Sequence, residues 1–165
     1  VNKCKLSFNE SGVRLTGIWH EIVNQADIDF LNKSYGGFHD SCITELNYLS
    51  GGYVNENLSM GFGDAPDRKV SVILKRQWKP TKLELLFEGM RRMNIAGWQN
   101  NSYCEIFACY LKLQNDLIKG RDDNLVVWAD DMSFDPKGAF DRKILEEPMV
   151  TYIISESLRW RLFED

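Results

Sequence analysis

"VTYIISESLRWRLF", residues 150–163, ends the chain in a long alternation: Tyr152, Ile154, Glu156, Leu158, Trp160 and Leu162 fall on one side of an extended strand. A period of two marks a strand with one face in a core. Glu156 breaks the apolar set. A lone carboxylate among apolar neighbours is costly, so Glu156 needs a partner or an opening to water.

The same period recurs upstream. "KVSVILKRQW" (69–78) places Val70, Val72, Leu74, Arg76 and Trp78 on one side, and Pro80 then stops it. "DSCITELNYL" (40–49) does the same with Cys42, Thr44, Leu46 and Tyr48, "NLSMGF" (57–62) with Leu58, Met60 and Phe62, and "KLELLFEG" (82–89) with Leu83, Leu85 and Phe87 before a bend at Gly89. "YCEIFACYLKL" (103–113) is apolar on both faces and reads as a central strand; "NLVVWAD" (124–130) is short and also apolar. "KLSFNESGVRL" (5–15) reads as a hairpin turning at Asn9 to Gly12.

One segment changes period. In "NQADIDFLNKSYGG" (24–37), Ile28, Leu31 and Tyr35 share a helical face, Asn24 can cap the first turn, and Gly36 or Gly37 can take the left-handed stop. The loops between strands, such as "GDAPDR" and "KGRDDN", are short and rich in turn residues, so neighbouring strands should pair antiparallel. The expected fold is α+β: a predominantly antiparallel β-sheet or sandwich with one short helix near the N-terminal part, in a single globular domain over 1–165. The stretch from Asp131 to Pro148 is the least regular and is expected to cross an end of the sheet.

The 165 residues suffice for a core, since a chain of this size buries roughly 70% of its surface without metal or disulfide support. A net charge of −4 argues against a nucleic-acid backbone as partner and suits a basic protein. No apolar run approaches the ~20 residues that span a bilayer, and no signal-like start is present. Cys4, Cys42, Cys104 and Cys109 are scattered without metal-ligand spacing, which fits a reducing compartment. The expected location is cytoplasmic, with no cofactor and no metal. The acids of "DDMSFDPKG" (130–138) lack the spacing of a calcium loop and read as solvated turn residues. No catalytic motif stands out. Most of the five tryptophans read as core.

Two places could carry a binding site. "YGGFHDSCI" (35–43) sets His39 beside Asp40 where the helix stop meets a strand. As neighbours on a strand their side chains point to opposite faces, so they are not expected to meet, and the favoured reading is a structural corner. Arg76 and Glu156, each a charge in an apolar alternation, are expected to pair with one another, or Arg76 with Asp40. His39, Asp40, Arg76 and Glu156 are therefore the candidate binding residues.

"FLNKSYGGFHDSCITELNYLSGGYV", "LSM", "ILKRQW", "LELLFEGMRRMNI", "YCEIFACYL" and "VVWADD" together resemble a group of small bacterial proteins of unassigned function, over roughly residues 28–131. The shared outline is a short helix, an FHDS step into a strand and an F-E-G strand end. More loosely, it is similar to antiparallel-sheet proteins that act as immunity partners in bacterial toxin systems. That resemblance implies a non-catalytic module that neutralises a toxin-like or basic partner and transfers no catalytic role to His39, Asp40 or Ser41. The alternative is a small-molecule binder or hydrolase using a polar pocket around His39, Arg76 and Glu156.

Overall fold

The computed structural model describes residues 17–98, 103–138 and 150–163. In chain order it runs β1 (His20–Glu21), α1 (Gln25–Ser34), a 3-10 turn (Gly36–Phe38), β2 (Ser41–Leu49), β3 (Gly52–Val54), β4 (Met60–Phe62), β5 (Lys69–Arg76) and β6 (Lys82–Glu88). There follow β7 (Arg92–Asn94), β8 (Tyr110–Gln114), β9 (Leu125–Ala129), β10 (Tyr152–Ser155) and β11 (Ser157–Leu162). The strands form a five-stranded sheet ordered β1-β11-β6-β5-β2, a four-stranded sheet ordered β7-β10-β9-β8, and the separate hairpin β3-β4. Every pairing between named strands is antiparallel. The fold is α+β and dominated by sheet. The hairpin expected at 5–15, and the part of the irregular stretch at 139–148, lie outside the described residues.

The main core joins the two larger sheets. Val70, Val72 and Leu74 of β5, Leu83, Leu85 and Phe87 of β6 and Leu158, Trp160 and Leu162 of β11 meet Leu111, Val126, Trp128 and Ile153 of the other sheet. Helix α1 adds Ile28 and Leu31, followed by Tyr35 and Phe38. Its start follows from sequence: the Asn24 side chain accepts from the amides of Ala26 (2.8 Å) and Asp27 (3.3 Å), and Asp27 reaches back to the Asn24 amide at 3.0 Å. This is a capping box, in which two otherwise unpaired helix donors are satisfied reciprocally.

The closing segment corrects the simplest expectation. It is two strands, and Glu156 is the corner between them. The Glu156 amide donates to the carbonyls of Glu88 (3.1 Å) and Gly89 (3.2 Å), while Arg91 donates from its own amide to Ile154 at 2.8 Å. Both β10-to-β11 and β6-to-β7 pass from one sheet to the other here. Because one residue is spent on the corner, the inward phase flips: Tyr152 and Ile154 face a second cluster with Tyr110, Val127 and Phe134, whereas Leu158, Trp160 and Leu162 face the main core. Gly89 permits the turn with φ +65°, and a Cβ there would lie 2.7 Å from the Glu156 Cβ.

Three further expectations change. The strand expected over 103–113 starts only at Tyr110, as β8 (Tyr110–Gln114), and β8 is an edge rather than central. It is apolar on both sides because Leu111 serves the main core and Tyr110 the second cluster. Strand β2 carries a bulge between Ile43 and Glu45, so Ile43 and Leu46, not Cys42 and Thr44, rest on the core. Trp128 and Trp160 are buried, but Trp78 and Trp98 are exposed.

Candidate functional site

The corner that follows α1 is built from unusual backbone. Gly36, Gly37, Phe38 and Asp40 all have positive φ, at +58°, +66°, +68° and +54°. Two successive glycines tolerate this freely, and an aspartate is among the residues that visit it. Phe38 is the strained member, at a cost of order 1–3 kcal/mol. Its ring is fully buried against Tyr35 and Trp128, and that burial, worth about 1.5–3 kcal/mol, holds the conformation in place. The Ser41 hydroxyl, also buried, donates to the Phe38 carbonyl and ties the turn to the start of β2.

His39 stands between the two left-handed residues and points out. Its Nδ1 lies 2.9 Å from Asp40 Oδ1, with the histidine side chain 55% exposed and the aspartate 18%. The expectation that the two cannot meet is therefore corrected. Neither residue is in a strand, since β2 begins at Ser41, and the positive φ of Asp40 turns its carboxylate back toward the imidazole. With Nδ1 engaged, Nε2 is the nitrogen left to face an approaching group. The His39 ring is near-parallel to Trp78 (centroids 6.2 Å, 15°) and edge-on to Phe107 (6.0 Å, 74°), and both neighbours are exposed.

Arg76 organises this corner from below. Its guanidinium carbon lies 4.3 Å from the centroid of the Tyr35 ring, and Nε donates to the carbonyls of Pro80 (2.7 Å) and Trp78 (3.2 Å). Arg76 thus resolves its place in an apolar alternation by stacking and by backbone acceptors, and in doing so fixes the loop that presents Trp78. Burial pulls its basicity below the ordinary guanidinium value, with the Tyr35 hydroxyl acting the other way.

Glu156 is elsewhere, and the expected Arg76–Glu156 pair does not form. Glu156 pairs with Arg91 at 2.7 Å and Arg68 at 3.6 Å. It adjoins Ser157, which faces Glu88 and through it Lys69, at the opposite end of β5 from Arg76. The seven residue steps from Lys69 to Arg76 amount to about 23 Å. Arg76 with Asp40 is not formed either: Asp40 answers His39. So the structure brings His39, Asp40 and Arg76 to one corner and leaves Glu156 at the other end of the sheet. Sequence reading missed Trp78 and Phe107 as surface residues. The signal for Trp78 was the nearby Pro80, which marks a chain already past its strand; Phe107 gave no comparable sign.

This corner offers an imidazole between two exposed aromatic rings. The Ser41 hydroxyl is buried and committed to Phe38, and burial pushes the Cys109 thiol up to about 12, so neither is a ready nucleophile. A half-exposed imidazole remains wetted, which weakens acid–base chemistry that depends on exclusion of water. Among the described residues, no group of His, Cys, Asp and Glu could hold a metal ion, and no helix is long and apolar enough to cross a membrane. Asp131 and Asp135 instead accept from the amides of Ser133 (2.7 Å) and Lys137 (2.9 Å). Comparison of the chain with protein-family models, with curated proteins and with solved structures finds no match.

Proposed function

We propose that this chain is a non-catalytic cytoplasmic module that binds another protein, acting like an immunity partner that covers a basic or catalytic patch of a toxin-like protein. The observation that carries this reading is the presentation of His39 between two exposed aromatic rings on a rigid, strained frame. Large aromatic side chains with a polar centre are the usual anchors of protein interfaces. Strain held by a buried Phe38 preorganises them, which lowers the ordering cost of association. The net charge of −4 favours a basic partner and faster encounter with it.

The test is affinity capture from the native source with the wild-type protein, His39→Ala and Trp78→Ala. A stoichiometric protein held by the wild type and lost by both variants supports the reading. Recovery of no stoichiometric protein, or equal recovery by all three, overturns it. A second reading, a small-molecule binder or hydrolase, draws on the His39–Asp40 contact alone. Turnover of a carboxylic or phosphoric ester that His39→Ala abolishes and Trp78→Ala retains would favour it.

A further inference from the structure

The hairpin β3-β4 exposes several large apolar side chains. In its register Gly52 faces Phe62, Tyr53 faces Gly61 and Val54 faces Met60, so Val54, Met60 and Phe62 share one face. Met60 is 71% exposed and Phe62 76%, and Leu58 at the turn is 84% exposed. On the other face the Tyr53 ring lies across Gly61, where an added Cβ would come within 2.5 Å of it. A cleft of ≈ 570 Å³ opens at the hairpin base, lined in part by Tyr48, Tyr53 and Asp67. Lys69 lines it as well, beside Asp67. A two-stranded hairpin alone in water is marginal, and among the described residues neither of its strands has a neighbour on its outer edge.

Charge selects among the occupants that could complete it. Residues 50–67 carry Glu56, Asp64 and Asp67 and no lysine or arginine. A second copy would bring like charges together, in a chain that is already acidic. We propose that the hairpin docks an extended basic segment of a partner protein, which adds as a further strand along a free edge. Its alternate residues would be apolar beside Val54, Met60 and Phe62, and basic on the face of Tyr53 and Asp67. Backbone hydrogen bonds supply the attachment and the two faces supply the selectivity. The proposal rests on the reading of the chain as a protein-binding module, but it uses the end of the sheet away from His39.

The probe is a random 12-residue peptide library displayed on phage, panned on the wild-type protein and counter-selected on Met60→Ser/Phe62→Ser. The expected consensus alternates Lys or Arg with Val, Ile or an aromatic residue. Synthetic peptides of that consensus should bind at least tenfold more weakly to Met60→Ser/Phe62→Ser and several-fold more weakly to Glu56→Lys, with unchanged binding to Trp78→Ala. They should slow hydrogen exchange at amides of residues 52–54 or 60–62. No enrichment, an acidic or helical consensus, or binding abolished by Trp78→Ala but not by the hairpin variants overturns the proposal; the last of these leaves the corner reading standing. A concentration-dependent dimer that Phe62→Ser abolishes overturns it in favour of self-association. Because Glu56→Lys alters only an exposed turn residue, it keeps the test decisive even if the double serine variant unfolds.

Discussion

The two ends of the five-stranded sheet solve one problem in two ways. At each, a charge stands in an otherwise apolar alternation, Arg76 on β5 and Glu156 just before β11. Arg76 is held by an aromatic face and two carbonyls and, among the described residues, its charge meets no carboxylate. Glu156 lies at a corner between sheets, half in water, and meets two arginines. The first arrangement fixes a loop and builds a rigid recognition corner. The second adds an ion pair at a rim, where solvent screens it and little energy is gained. Position relative to water, more than residue type, decides what a charge in a strand pattern does.

The largest expected effect lies at the Glu156 end, but in the backbone. Gly89→Ala should destabilise the protein by about 3 kcal/mol, because positive φ and a Cβ pressed on that of Glu156 leave no way to relax. Gly36→Ala also meets positive φ, yet its new Cβ would touch only the Arg76 guanidinium tip, at 2.6 Å. About 1–2 kcal/mol is expected there, with loss of the Tyr35 contact. Urea unfolding of both variants checks the order; a Gly36 variant weaker than the Gly89 variant would break the comparison.

Next comes the pair of charges. Arg76→Leu should cost about 2 kcal/mol through two orphaned carbonyl contacts and a lost cation–π contact, and should alter Trp78 fluorescence. Glu156→Leu should cost about 1 kcal/mol or less and lose that cost in high salt. Since the residues lie at opposite ends of the sheet, the double variant should show the plain sum within about 0.5 kcal/mol. Mutual rescue would mean that the two charges meet after all.

A buried carboxyl, Asp130 just past β9, gives the molecule a pH response. Burial pushes Asp130 up to about 6, while the amide of Thr151 pulls the other way from 2.9 Å. Raised above its unfolded value of about 3.9, this group holds its proton more tightly in the folded state. Its contribution is therefore full below about pH 4 and is lost as pH rises through 6. Subtracting the stability profile of Asp130→Asn from that of the wild type should expose a fall of this sign; a flat difference would mean that burial does not hold this carboxyl protonated.

The smallest effect is at His39 itself. As an exposed residue with one polar contact, its replacement by alanine should cost about 0.5–1 kcal/mol, measured by thermal melting. Binding should nonetheless be lost. A costlier His39→Ala with binding intact would return the corner to a merely structural role.

The FHDS step shows how far the chain could be read. Its glycine stop and its closeness to the helix were visible, because Gly36 and Gly37 advertise left-handed backbone through their lack of a side chain. The left-handed turns at Phe38 and Asp40 were not, because only packing of the Phe38 ring can hold them. Without those turns, His39 and Asp40 count as strand neighbours on opposite faces. Likewise, Arg76 and Glu156 each announced a need for a partner, but alternation records only which way a residue points, not how far along a sheet it lies.

By itself the sequence determined the local periods: the capped helix whose Ile28, Leu31 and Tyr35 face inward, the alternation of β5 and β6, and the bend at Gly89. These follow from side-chain spacing, capping and glycine freedom, which act within a few residues. The tertiary structure alone decided that residues 152–162 serve two sheets, that Trp78 and Phe107 flank His39, and that Val54, Met60 and Phe62 of the β3-β4 hairpin are exposed. An alternating pattern is the same whether the strand continues or turns a corner. The difference is made by hydrogen bonds from Glu156 and Arg91 to residues distant in sequence, and these exist only once the sheets have met.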